Sequence, residues 1–144
     1  TLIGLGMAAM SIGTNVSDEQ AKFVADFLAT CGKVISIDES LQDAVTAVSG
    51  SGPAYFFAFV EEMIKSGISL GLSSDEASTL AIQTIIGSAA MLEQSGKNPT
   101  TLRENVTSPN GTTAAALKVF NDAEFGDIIK KAMKAARDRS QELA

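Results

Sequence analysis

The segment Ser49-Gly50-Ser51-Gly52-Pro53-Ala54-Tyr55 stands directly before an apolar run in which hydrophobic residues recur with helical periodicity. Proline is favoured at the first position of a helix, so we predict a helix from Pro53 to about Gly67. Gly50 and Gly52 can adopt backbone conformations closed to other residues and let a ligand approach the main chain. The segment is therefore predicted to be a tight loop that feeds a helix. A hinge between helices, shaped only by packing, is an equally weighted alternative.

A second segment, Val106-Thr107-Ser108-Pro109-Asn110-Gly111-Thr112-Thr113, stands directly before an alanine-rich run. Ser108 and Pro109 favour a turn, and Asn110 with Gly111 suits a left-handed backbone. Thr112 and Thr113 then present N–H groups at a helix start, where the positive end of the helix dipole favours an anion. Taken alone, the segment would by default be interpreted as a simple N-terminal capping loop.

Composition narrows the function classes. The 144-residue chain fits one domain and a fragment of a second, and its net charge of −6 argues against a nucleic-acid partner. Without histidine and with Cys31 as its only cysteine, it lacks His-dependent triads and the usual zinc ligands, so we predict no metal site. Cys31 cannot form an intrachain disulfide, which fits a reducing, cytoplasmic location. The chain has two loops that favour an anion and it has no histidine. This combination indicates that it binds a charged small molecule and does not hydrolyse one.

The first 38 residues have the pattern of a β-α-β unit. We predict a strand over residues 6–12, a helix over residues 18–30 capped by Asn15 or Ser17, and a strand over residues 33–37. Such a unit cannot bury both faces of a sheet, so the rest of the sheet is expected outside this sequence. We therefore expect the chain to begin mid-sequence, after an upstream segment of on the order of a hundred residues or more.

From residue 39 onward the periodicity is entirely helical. The fold class predicted is mainly α, with a helical domain over residues 39–144 preceded by a β-α-β remnant of a Rossmann-type domain over residues 1–38. A helix starting at Ser74 is predicted without a full capping box, and residues 77–92 are too short and too polar for a membrane span. Further helices are predicted over residues 41–48, 99–105, 112–121 and 124–143. Residues 4–9 match a dinucleotide fingerprint, but a strand follows them, so we assign the match to chance.

Three motifs in this order closely resemble the pyrroline-5-carboxylate reductase family: residues 47–55, residues 83–89 and residues 106–113. The resemblance covers nearly the whole chain. It implies reduction of 1-pyrroline-5-carboxylate to L-proline by hydride transfer from NADPH or NADH. It also implies an upstream Rossmann domain that holds most of the NADP or NAD cofactor. The helical domain of the family forms an interlocked homodimer, which can assemble into higher oligomers.

The resemblance also assigns residue roles. Ser108, Asn110, Gly111, Thr112 and Thr113 would bind the substrate, with backbone amides of the last three on its carboxylate and the Thr113 hydroxyl on the ring nitrogen as the catalytic contact. Asn110 departs from the glycine that is typical of the family, and asparagine tolerates the left-handed backbone that glycine would supply.

By the same resemblance, Ser49, Gly50, Ser51, Gly52 and Pro53 would line the site near the nicotinamide and face the partner subunit. Two other functions stay open. One is a non-catalytic helical dimerisation module. The other is a related imine or β-hydroxyacid reductase, which would place a catalytic lysine in the helical region, and no lysine here lies in a comparable apolar context.

Overall fold

The computed structural model describes residues 3–143. Its two parallel strands are β1 (Gly6–Met10) and β2 (Gly32–Ser36). Its α-helices are α1 (Asp18–Ala29), α2 (Gln42–Val45), α3 (Gly52–Ser69), α4 (Ser74–Gln94), α5 (Pro99–Asn105), α6 (Thr112–Asp122) and α7 (Phe125–Leu143). A 3₁₀ turn (Glu39–Leu41) precedes α2, and a π-helical turn (Thr46–Gly50) follows it. The predicted fold class, mainly α with a leading β-α-β unit, is confirmed.

The chain divides into two compact units. One comprises residues up to Pro53 together with those from Lys131 onward, and the other comprises Ala54–Lys130. The first unit contains the whole β-α-β element and the segment that leads from it into α3. The second contains most of α3 and all of α4, α5 and α6. The domain boundary predicted after residue 38 stays a prediction.

The β-α-β unit is built as the residue pattern predicts. The strands pair in register from Gly6 with Gly32 to Met10 with Ser36. Ser17 is the helix cap, because its side chain accepts from the Gln20 amide while the Gln20 side chain accepts from the Ser17 amide. Gly32 has a φ of +151°, and a Cβ there would collide with the backbone of Gly6. A glycine is therefore required at the start of β2.

The start of α4 corrects the predicted cap by one residue. Ser73, not Ser74, is the N-cap, and Glu76 completes a full capping box. The Ser73 amide donates to the Glu76 carboxylate at 2.8 Å, and the Glu76 amide donates to the Ser73 hydroxyl at 3.3 Å. Hydrogen bonds from the Ser73 hydroxyl and amide hold the pKa of Glu76 below its ordinary value.

The described residues bury very little apolar surface. The buried hydrophobic side chains are the alanines Ala21, Ala47, Ala77 and Ala81. The chain exposes 10978 Å², whereas a monomeric protein of 14.9 kDa exposes about 7,000 Å². The excess of about 4,000 Å² on one chain is larger than the roughly 1,000–2,500 Å² per partner that obligate protein interfaces bury. The helices therefore present apolar faces that nothing in residues 3–143 covers.

Across the described residues, no helix is both long and apolar enough to cross a bilayer.

Replacing the α4 cap tests the capping box. Ser73→Ala should lower the free energy of unfolding by about 0.5–2 kcal/mol, because the Glu76 amide loses its acceptor and the Glu76 carboxylate loses the Ser73 hydroxyl. Thermal unfolding at a fixed protein concentration measures the change. Ser74→Ala is the matched control and should change the stability by much less, since Ser74 is the first helical residue and caps nothing. Equal losses in the two variants would contradict the assignment of the cap to Ser73.

Candidate functional site at the start of helix α6

A tight turn delivers the chain into α6. The Gly111 amide donates to the Ser108 carbonyl at 3.1 Å, which closes the turn. Asn110 sits in the left-handed region with a φ of +59°, as its side-chain type predicts. Gly111 itself is extended, with φ −79° and ψ 174°, and is the N-cap of α6. The predicted left-handed position therefore falls on Asn110 and not on Gly111.

The closeness of Ser108 explains why residue 111 is a glycine. A Cβ at Gly111 would overlap the Ser108 hydroxyl and lie 3.2 Å from the Ser108 carbonyl oxygen. The absence of a side chain also leaves α6 without a side-chain cap. In α1, α4 and α5, by contrast, the side chains of Ser17, Ser73 and Asn98 fill that role. The start of α6 is therefore left open to an external acceptor.

Three amides at this helix start have no partner. The first hydrogen bond into α6 runs from Ala115 to the Gly111 carbonyl at 3.1 Å. Within residues 3–143, no acceptor bonds the amides of Thr112, Thr113 or Ala114. The Gly111 amide, predicted as a fourth donor, is engaged in the turn. Ala114 supplies a donor that sequence reasoning missed, although its position as third residue of a predicted helix was available as a signal.

This arrangement is suited to a small anion. Three free N–H groups converge at the positive end of an eleven-residue helix, and no carboxylate of the turn bonds them. The Thr112 and Thr113 hydroxyls make no hydrogen bond within the described chain either. The structure thus brings together Ser108, Asn110, Gly111, Thr112 and Thr113 in one turn and one helix start. Their role in binding stays a prediction.

The glycine-bearing segment before α3, residues 49–53, is not a loop. The Ser51 amide donates to the Thr46 carbonyl at 2.8 Å, which makes a π-helical turn over Thr46–Gly50, and α3 begins at Gly52. Neither Gly50 nor Gly52 has a positive φ. The expectation of a tight loop with glycine-specific backbone angles is therefore wrong, because the wide turn keeps the chain helical through the motif.

The two glycines nevertheless leave space. A Cβ at Gly52 would meet no atom within 4 Å, and one at Gly50 would touch only the Thr46 side chain, at 3.7 Å or more. Neither glycine is required by packing inside this chain. Gly50 is exposed, so its bare backbone is available to a group from outside, which is what a cofactor-contact segment needs, whereas Gly52 is buried. Ser49–Pro53 belongs to the first compact unit, and the turn before α6 belongs to the second.

The Tyr55 hydroxyl is a further polar group that sequence reasoning did not single out. It lies in the first turn of α3, its oxygen is buried, and no group in the described chain hydrogen-bonds it. Buried hydroxyls almost always have a partner, so this one marks a place where a water molecule or another chain completes the structure.

Charge elsewhere in the described chain is arranged as surface pairs. Lys65 bridges Glu61 and Glu62 at 2.8 Å each, and Lys118 bridges Asp122 at 2.5 Å. These hydrogen bonds raise the pKa of Lys65 above its ordinary value, so it remains a cation and cannot act as a base. No group of three or more metal-ligating side chains occurs within residues 3–143.

The fold is mainly helical and begins with a parallel β-α-β unit, and the start of α6 carries amides without a partner in the described chain. The family model described as pyrroline-5-carboxylate reductase dimerisation matches residues 39–143. The chain therefore belongs to the pyrroline-5-carboxylate reductase family.

Individual relatives agree with this assignment. The chain is 42% identical to the pyrroline-5-carboxylate reductase of Corynebacterium melassecola, over 99% of the chain and 53% of the relative. It is 44% identical to that of Pseudomonas aeruginosa, again over 99% of the chain and 53% of the relative. The chain thus spans about half the length of the curated relatives it matches.

Solved structures give the same picture. A pyrroline-5-carboxylate reductase from Coxiella burnetii superposes with a TM-score of 0.94 at 32% identity, over 99% of this chain and 53% of that one. The pyrroline carboxylate reductase of Plasmodium falciparum, solved with NADP bound, superposes with a TM-score of 0.90 at 35% identity, over 98% of this chain and 54% of that one.

The backbone at Asn110 can be tested by substitution. Asn110→Val should lower the free energy of unfolding by about 1–2 kcal/mol, because a β-branched residue is strained in the left-handed region. Asn110→Gly should leave stability unchanged or slightly higher, since glycine adopts the same angles without strain. Chemical denaturation of both variants measures the difference. Equal stability of the two variants would contradict a left-handed residue at this position.

Proposed function

We propose that this chain supplies the substrate-binding and dimer-forming part of a reductase that converts 1-pyrroline-5-carboxylate to L-proline with NADPH or NADH. The observation that carries the proposal is the set of free amides at Thr112, Thr113 and Ala114. The substrate is a small cyclic imine that bears one carboxylate. The N–H groups at such a helix start can donate hydrogen bonds to that carboxylate, and the positive end of the helix dipole favours its charge. Membership of the family supplies the reaction class.

The carboxylate would be held by the main chain. Each charge-assisted hydrogen bond from an amide to a carboxylate contributes about 1.5–3 kcal/mol. Because backbone amides are fixed by the helix, they bind the carboxylate without losing side-chain freedom. The turn over Ser108–Gly111 fixes the direction from which the substrate enters.

Thr113 is the residue we assign to the reacting end of the substrate. Its hydroxyl oxygen would accept a hydrogen bond from the protonated ring nitrogen of the imine. An iminium already carries its proton, so no histidine or other general acid is needed for reduction. The contribution of this chain is then to position the imine carbon for hydride transfer and to exclude water.

The cofactor would contact Ser49–Pro53, where the backbone of Gly50 is exposed and carries no side chain. NADP or NAD supplies the hydride when it is bound, and the protein's part is to orient the nicotinamide against the substrate. The described residues fit only the nicotinamide end of the cofactor. Gly4–Ala9, the one match to a dinucleotide fingerprint, largely forms β1 and opens no helix. The remaining cofactor contacts would come from a Rossmann-type domain.

A second copy of the chain is the partner we propose. Within the second compact unit, α3 and α4 line an apolar groove of about 580 Å³. Phe57 and Phe56 in this groove are 72% and 62% exposed. Large aromatic side chains at such exposure are typical of an interface that another chain covers. We place the homodimer interface on this groove. Higher oligomers would assemble from the same dimers.

The cellular location we propose is the cytoplasm. The proposal rests on the single, exposed Cys31, which has no partner for an intrachain disulfide.

Removing one amide tests the carboxylate site. Thr112→Pro deletes the first free N–H but keeps α6, because proline suits the first helical position and Gly111 is already extended. The variant should bind L-proline about tenfold or more weakly, since one charge-assisted bond is lost. Titration of the ¹⁵N-labelled chain with L-proline measures the affinity and should shift the Thr113 and Ala114 amide signals.

The matched control for this experiment is Ser74→Pro, which places proline at the first position of α4 behind an equally extended cap. It should bind L-proline like the unmodified chain. If L-proline leaves the Thr112, Thr113 and Ala114 signals of the unmodified chain unchanged, the substrate assignment fails. A helical dimerisation module without substrate binding would then be the better account.

A charge in the groove tests the dimer. Phe57→Asp should convert a dimer into a 14.9 kDa monomer, because burying an unpaired carboxylate in an apolar interface is strongly unfavourable. Phe27→Asp is the matched control: Phe27 is 66% exposed but lies on α1 in the first compact unit and does not line the groove. Sedimentation velocity measures both. Dissociation by Phe27→Asp with an intact Phe57→Asp dimer would place the interface elsewhere.

A further inference from the structure

The segment predicted to contact the cofactor is tied to the sheet by a pair of side chains distant in sequence. Ser11 directly follows β1, at the carboxyl edge of the sheet, and its hydroxyl donates to the Ile37 carbonyl at 3.0 Å. The Gln42 side-chain amide donates to the Ser11 hydroxyl at 2.7 Å. Both bonds are partly buried, and the Ser11 hydroxyl is both donor and acceptor, so each bond strengthens the other.

From Gln42 the bonds continue into the motif. The Thr46 hydroxyl donates to the Gln42 carbonyl at 3.1 Å. The Ser51 amide donates to the Thr46 carbonyl at 2.8 Å and so forms the π-helical turn. A continuous path of hydrogen bonds therefore runs from Ile37 at the sheet edge to Ser51 in the Ser49–Pro53 segment. Every residue of the path lies in the first compact unit.

We infer that Ser11 and Gln42 are positioning residues: their hydrogen bond fixes Ser49–Pro53 against the carboxyl edge of the sheet, which is where α/β sheets bind their ligands. That Ser49–Pro53 contacts the cofactor rests on the proposed function. That Ser11 and Gln42 position this segment rests only on the hydrogen bonds described. Neither residue touches substrate or cofactor, so both act through the Thr46–Ser51 turn.

The Ser11–Gln42 bond is the step in this path that depends on two side chains. The bonds from Thr46 and Ser51 are local and would form in any copy of this helical turn. The bond between Gln42 and Ser11 spans 31 residues, and it fixes the first turn of α2 to β1. Replacing either partner removes the tertiary support of the turn, so the bond from Ser51 to Thr46 should open more often.

Amide hydrogen exchange on the full ¹⁵N-labelled chain tests the inference. Gln42→Met has a similar shape without the amide, and Ser11→Ala removes the hydroxyl. Each should speed exchange of the Ser51 amide about two- to tenfold, the effect of one net hydrogen bond on local opening. The double variant should match the single variants, because the two residues form one interaction. Ser11→Thr keeps a hydroxyl and should restore slow exchange.

Two controls separate positioning from general destabilisation. Ser40→Ala removes a hydroxyl that bonds only Asp38, and it should leave Ser51 exchange unchanged. The Ala81 amide in α4 reports global unfolding and should exchange alike in all variants. Unchanged Ser51 exchange in Gln42→Met and Ser11→Ala would overturn the inference, and so would additive effects in the double variant.

Titration with reduced nicotinamide mononucleotide distinguishes this inference from the proposed function. In the unmodified chain the Ser49–Gly52 amide signals should shift, and the two variants should bind about two- to tenfold more weakly. The Thr113 response to L-proline should stay the same. If the unmodified chain does not respond to the nucleotide, the cofactor role of this segment fails, and the exchange data alone decide whether Ser11 and Gln42 position it.

Discussion

The constraint on which the rest of this structure depends is that the described residues bury very few hydrophobic side chains. The buried hydrophobic residues described are four alanines, whereas phenylalanines and isoleucines of α3 and α4 lie at the surface. Alanine burial cannot offset the conformational entropy of ordering more than a hundred residues, so the helices need apolar surface from outside residues 3–143. In the proposed function, a second copy of the chain supplies part of that surface. The close approach of Gly67 to Ala77, where a Cβ would lie 3.1 Å from the alanine methyl group, holds α3 and α4 side by side and leaves their large side chains outward.

A second consequence concerns the start of α6. Ser17 and Ser73 cap α1 and α4 with their side chains and leave no vacancy for a ligand. Gly111 cannot cap α6, because it has no side chain, and Ser108 leaves no room for one. Among the described helices, α1, α4 and α5 thus have side-chain caps, whereas the start of α6 has none. Unpaired amides cost free energy unless water or an anion bonds them. A helix start kept in this state is a binding site in the proposed function.

Local chemistry predicted most of the fold. Apolar periodicity, Ser17 and Pro99 placed the helices within a few residues, and Asn110 adopts the predicted left-handed backbone. The failures have physical causes. Ser73 was missed as a cap by one residue, since adjacent serines have the same local preference. The loop predicted at Ser49–Pro53 is helical because the bond from Ser51 to Thr46 overrides the glycines. The Ser11–Gln42 bond and the unpaired Tyr55 hydroxyl are tertiary features, and no local pattern encodes them.

A crystal structure of the chain with L-proline is the most direct test of the central claim. The account predicts two copies packed through their α3–α4 grooves, with the proline carboxylate about 2.7–3.1 Å from the Thr112 and Thr113 nitrogens. The Thr113 hydroxyl should lie within hydrogen-bond distance of the ring nitrogen. A carboxylate bound elsewhere, or amides of Thr112 and Thr113 occupied by a neighbouring protein segment, would contradict the assignment of the substrate site to the start of α6.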